Sequence, residues 1–118
     1  MVYLVPAEFQ MTLKMRGTAV ITSLTRAHHN SLSPSVDITM ESAAKIYDGN
    51  TLGIILSGMG RDGCIGMKAI KISGGRTIAQ DETSLIFGMP KEVINAGYAD
   101  KTLPVEDIVE AMIEWAGA

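Results

Sequence analysis

The chain has 118 residues, 47% of them hydrophobic, and a formal net charge of −3. That length and composition suit one globular domain with its own core, and a single cysteine excludes an intramolecular disulfide and suits a reducing compartment. No apolar run approaches the roughly 20 residues of a membrane span, no signal peptide is visible, and no basic stripe is present, so the expectation is neither membrane insertion nor nucleic-acid binding.

Taken in order, residues 11–15 and 19–24 flank Arg16-Gly17-Thr18 and predict a β-hairpin outside the main sheet. The polar segment 25–33 reads as a loop and holds both histidines, His28 and His29. Adjacent side chains on an extended chain point opposite ways, so at most one of the two faces any given site. Without a cysteine or carboxylate cluster they make a poor metal site, and exposure on a surface loop is the expectation. Ser33 suits a helix N-cap with Pro34 at the first helical position. Val36, Met40, Ala43, Ala44 and Tyr47 then line one apolar face, and Asp48-Gly49-Asn50 ends the helix.

The run Leu52-Gly53-Ile54-Ile55-Leu56 reads as a buried strand, and residues 64–72 as the helix that follows it. Thr77-Ile78-Ala79-Gln80 predicts a second strand. Near the end, Val105, Ile108, Val109, Met112 and Ile113 form a stripe at helical spacing, with Glu106 and Asp107 at the positive end of the helix dipole. Both helical stripes read as core-facing. Strand and helix alternate from Leu52 onward, which predicts an α/β sheet with right-handed crossovers.

The turn Ser57-Gly58-Met59-Gly60-Arg61-Asp62-Gly63 joins strand to helix at the end of the sheet where open α/β folds build their sites. Gly58, Gly60 and Gly63 fit the spacing G-x-G-x-x-G, and Asp81 lies 18 residues beyond Gly63, near the place of a ribose ligand in a dinucleotide fold. Asp62 argues against that chemistry, because a carboxylate beside the pyrophosphate seat adds like-charge repulsion. The local alternative makes Asp62 a cap for the helix that begins near Cys64. Cys64 itself reads as a small buried hydrophobe, or as a nucleophile if the helix N-terminus lowers its pKa. The residues alone leave a dinucleotide module, a non-catalytic interaction module and an enzyme open.

Several motifs in order go further. Gly58-Met59-Gly60-x-Asp62-Gly63 resembles the GMGxDG motif of chemotaxis protein-glutamate methylesterases, the CheB family. Pro34-Ser35-Val36-Asp37 with Ser42-Ala43-Ala44 resembles the family's PSVD and SAA segment. Ile78-Ala79-Gln80-Asp81 resembles its IAQD strand end, and Gly88-Met89-Pro90 its GMP turn. Ala96-Gly97 and Leu103-Pro104 keep the family order, and Val2-Tyr3-Leu4-Val5-Pro6 is similar to a strand midway through its catalytic domain.

The resemblance implies a doubly wound, mostly parallel sheet with the hairpin attached, in a cytoplasmic hydrolase without a cofactor or metal. Its substrates are glutamate methyl esters, and for some members glutamines, on the cytoplasmic domains of chemoreceptors. A serine nucleophile, a histidine base and an aspartate do the chemistry. By position Asp62 matches the aspartate, and Met59 matches the residue whose backbone amide helps to hold the oxyanion.

Two departures stand out. No G-x-S-x-G elbow occurs in the chain, and Pro6-Ala7-Glu8-Phe9-Gln10 has glutamine where the family's PGxxH segment has histidine. The expectation is therefore that residues 1–118 form the C-terminal portion of an esterase domain, with one triad member of three and no activity alone. The edge of the strand at 52–56 is expected to drive self-association, most simply as a two-fold dimer.

Overall fold

The computed structural model describes residues 1–29 and 31–117. Its framework is a parallel three-stranded sheet of β3 (Leu52–Ile55), β4 (Arg76–Gln80) and β5 (Lys101–Leu103), in the order β3-β4-β5. Apolar side chains at alternate positions send the two faces of each strand into different packing layers. Ile55 and Ala79, paired in register, meet Met67 and Val93 on one face. Ile78, with Ile54 paired to it, meets Ile108 and Ala111 on the other. The first face is covered by α2 (Cys64–Ile72) and α3 (Met89–Asn95), the second by α4 (Val105–Trp115). Helices thus lie on both faces, the doubly wound arrangement expected.

The hairpin is a separate two-stranded antiparallel sheet, β1 (Phe9–Arg16) and β2 (Ala19–Arg26), longer at both ends than the apolar pattern suggested. It joins the body through α1 (Val36–Tyr47): Thr39 Oγ1 donates to the Met11 carbonyl at 2.7 Å, and the Leu13 amide donates to Ser42 Oγ at 2.9 Å. The loop expected over 25–33 begins only after Arg26, and Asn30 within it lies outside the described residues.

Three expectations fail here. The segment 2–5 is not a strand: Val2 and Leu4 are exposed, because strand geometry needs a hydrogen-bonded neighbour and none of the described residues supplies one. Helix α1 starts at Val36 with Ser35 at the N-cap, so neither Ser33 nor Pro34 plays the part expected of it. In α4 only Ile108 and Ala111 are buried, while Val105, Val109, Met112 and Ile113 are 44–60% exposed. Helical spacing places a stripe on one side but does not supply something to cover it, and a three-stranded sheet covers only one line of it. Tyr47 in α1 likewise ends up exposed.

At the far end of the sheet from the glycine-rich turn, Asp100 ties β4 to α2. One carboxylate oxygen accepts the Thr77 amide at 3.0 Å and its hydroxyl at 3.2 Å, and the other accepts Lys71 Nζ at 2.7 Å. Burial pushes the Asp100 carboxyl up, but Lys71 and the two Thr77 donors outweigh it and hold the pKa below the ordinary value.

Candidate functional site

The carboxyl end of β3 runs into the glycine-rich turn, where two loops touch backbone to backbone. The Gly58 amide donates to the Ile86 carbonyl at 2.9 Å, and the Gly58 carbonyl accepts the amides of Gly88 and Met89 at 3.0 and 2.8 Å. A Cβ on Gly88 would stand 2.8 Å from the Gly58 carbonyl oxygen, so no larger residue fits without moving one loop. Buried Gln80, at the end of β4, accepts the Ser57 amide at 2.9 Å. The Met59 side chain is 81% exposed, and its N–H donates to no acceptor among the described residues. This is the state in which a backbone amide can take an outside anion.

Asp62 is half-buried and sits at the other end of the turn. Its carboxylate does not cap α2, the helix that follows it, but α1. Oδ2 accepts the Val36 amide at 2.7 Å, while Oδ1 accepts the Asp37 amide at 3.0 Å and the Ser35 hydroxyl at 3.0 Å. The cap of α2 comes from the opposite direction: Asp37 Oδ1 accepts the amides of Gly63 at 2.9 Å and Gly66 at 2.7 Å. Two aspartates thus cap each other's helices, each negative charge against a positive dipole end. Gly63, with φ of 100°, supplies the left-handed backbone that the crossing needs, and a Cβ there would press on the buried Ile55 side chain.

The same geometry defines what Asp62 can still do. A carboxylate oxygen accepts about two hydrogen bonds. Among the described residues Oδ1 already has two and Oδ2 only one, which leaves Oδ2 a free acceptor position. Behind it, Gln10 Oε1 accepts the Ser35 amide at 2.7 Å while Gln10 Nε2 donates to the Leu32 carbonyl at 2.7 Å. Gln10 therefore fixes the residue whose hydroxyl bonds Asp62. Ser35 and Asp37 were visible only as parts of the Pro34-Ser35-Val36-Asp37 motif; an acid in a first helical turn suggests dipole pairing and says nothing of a second helix.

The competing chemistries lose their footing. The first amides of α2, where a pyrophosphate would sit, are occupied by the Asp37 carboxylate, and Asp81 is taken up by the amide and hydroxyl of Thr83. Gly58, Gly60 and Gly63 are therefore not a dinucleotide seat. Arg61 turns away to Glu92, 3.7 Å off and largely exposed. Cys64 is half-buried with its sulfur 3.8 Å from the Glu92 carbonyl; burial pushes its thiol up, the wrong direction for a nucleophile. His28 and His29 are exposed and line a separate polar pocket with Glu8, Arg26 and Ser31. Neither bonds Asp62. Among the described residues no cluster of metal-ligating side chains occurs, and no helix is long and apolar enough to cross a membrane.

An open α/β sheet with a carboxylate and a free backbone amide on the turn at its carboxyl end has the frame of a site. Comparison with known proteins names the kind. The description "CheB methylesterase" fits residues 1–112, and the chain belongs to that family. It is 44% identical over 115 residues, 96% of its length, to a protein-glutamate methylesterase/protein-glutamine glutaminase of Thermotoga maritima. It is 41% identical over 114 residues, 95% of its length, to the same kind of protein from Pyrococcus horikoshii. The chain spans about a third of those relatives, 33% and 31% of their respective lengths. The crystal structure of the Thermotoga maritima CheB methylesterase catalytic domain superposes with a TM-score of 0.87 at 44% identity, over 92% of this chain and 59% of that one.

Proposed function

We propose that residues 1–118 are the C-terminal portion of the catalytic domain of a cytoplasmic protein-glutamate methylesterase, and that they contribute its aspartate and an oxyanion donor. The observation that carries this reading is the state of Asp62. Its carboxylate is locked by three donors at the start of α1 yet retains one open acceptor position on Oδ2.

An imidazole N–H placed at that position would be held in the tautomer whose other nitrogen is free to act as a base. The histidine and the nucleophilic serine come from the part of the catalytic domain that precedes these residues. The serine oxygen attacks the ester carbonyl while its proton passes to the imidazole. Asp62 stabilises the imidazolium so formed, and the Met59 N–H takes the oxyanion of the tetrahedral intermediate. The imidazolium returns the proton as methanol leaves, and water then hydrolyses the acyl-enzyme by the same route. The substrates are methylated glutamates on the cytoplasmic domains of chemoreceptors, and glutamines where the enzyme also deamidates.

The test is Asp62→Asn in the complete catalytic domain, where these residues follow the segment bearing serine and histidine. The corresponding change in a serine protease costs about 10⁴ in kcat. A loss of that order with KM little changed is expected. A loss below tenfold would leave Asp62 only its helix-capping role.

A further inference from the structure

Asp37 takes no part in the proton transfers above, yet it holds Asp62 in two ways. Its own amide donates to Asp62 Oδ1 at 3.0 Å. Its Oδ1 accepts the amides of Gly63 and Gly66 at 2.9 and 2.7 Å, which fixes the residue that follows Asp62 and the first turn of α2. The backbone needs such a tie, because Gly63 has the widest conformational choice of any residue and adopts a φ of 100° here. The other charge on the turn, Arg61, is directed to Glu92 and holds neither carboxylate.

We infer that Asp37 is a positioning residue: the placement of its Oδ1 against the Gly63 and Gly66 amides sets the direction of the open Oδ2 position on Asp62. The inference rests on the reading of Asp62 as the catalytic aspartate. What matters is an acceptor at one point, and the negative charge is secondary. Asp37→Asn keeps an acceptor oxygen at the same reach and loses the charge. Asp37→Glu keeps the charge, and with it any favourable effect on the helix dipole, but moves the acceptor by one methylene. Positioning ranks Asn above Glu, whereas a purely dipolar or solubilising role ranks Glu above Asn.

Steady-state methanol release by the complete catalytic domain, measured for wild type, Asp37→Asn, Asp37→Glu and Asp62→Asn, separates these cases. A misplacement of about 1 Å can cost about 10² in rate. Asp37→Glu is expected to lower kcat by about that factor with KM within twofold, and Asp37→Asn to recover all but about tenfold. Wild-type kcat in Asp37→Glu, or equal losses in both variants, would overturn the inference. If Asp37→Glu does not fold, Asp37→Ser, whose acceptor falls short of the amides, carries the same expectation and the same refutation. Were Asp62→Asn to keep kcat within tenfold, the catalytic reading itself would fall, and this inference with it. Were Asp62→Asn severe and Asp37→Glu silent, only the positioning role would fall.

Discussion

The joint between α1 and α2 and the open side of the sheet, β3 with α4, treat their exposed groups in opposite ways. At the joint, Asp62 and Asp37 between them accept five hydrogen bonds, four from amides at the starts of the two helices and one from the Ser35 hydroxyl. On the open side β3 pairs with β4 alone among the described residues, Leu56 is exposed, and the α4 stripe of Val105, Val109, Met112 and Ile113 lies bare. One region is closed by polar contacts made within the chain; the other is apolar and exposed.

Breaking the joint should have the largest effect on folding. Gly63→Ala forces a Cβ onto Ile55 at a left-handed backbone position. Strain and overpacking of that kind cost about 1–3 kcal/mol each, so a loss of about 3 kcal/mol is expected in urea unfolding. Asp62→Ala removes the cap of α1 and should cost about 1–2 kcal/mol by the same measurement. This structural cost is why Asn, which keeps an acceptor, is the better probe of catalysis.

Asp100 provides a comparison at the other end of the sheet. Its pKa is depressed in the folded chain, so its stabilising contribution is present above the ordinary carboxylate range and is lost as pH falls through the lowered value. Asp100→Asn should therefore flatten the acid limb of a Tm-against-pH profile, leaving a difference from wild type near neutrality that shrinks toward low pH. An unchanged acid limb would remove Asp100 from the account.

The open side should answer differently. Val109→Lys on the bare α4 face is expected to change unfolding free energy by no more than about 0.5 kcal/mol. Light scattering over a dilution series should meanwhile show the wild-type chain self-associating through its exposed apolar surface, and the variant less so if the α4 face takes part. A wild-type monomer with dispersed NMR signals down to micromolar concentration would contradict this. Smallest of all is Arg61→Ala, because an exposed pair 3.7 Å apart contributes only a few tenths of a kcal/mol.

Much of this was legible in the sequence, for local reasons. The strand, glycine turn and helix over residues 52–72, and the hairpin about Gly17-Thr18, follow from alternation, helical spacing and turn residues that neighbours in sequence decide. The glycine-rich turn stood out because Gly58, Gly60 and Gly63 concentrate backbone freedom around one acid. What escaped was long-range. The local alternative for Asp62, a cap on the adjacent helix, misses that it caps one beginning 26 residues earlier at Val36, a partnership that only the folded chain creates. Residues 2–5 have strand composition but no neighbour to pair with among the described residues. The α4 stripe shows that spacing reports which side of a helix is apolar, and that the rest of the fold decides whether anything covers it.

The most direct test of the central claim is methanol release from methylated receptor, measured for residues 1–118 alone and for the complete catalytic domain. The account predicts no release above the uncatalysed rate by residues 1–118, and release by the complete domain that Asp62→Asn nearly abolishes. Release by residues 1–118 alone that Asp62→Asn abolishes would contradict it, because a nucleophile and a base would then have to lie within this chain.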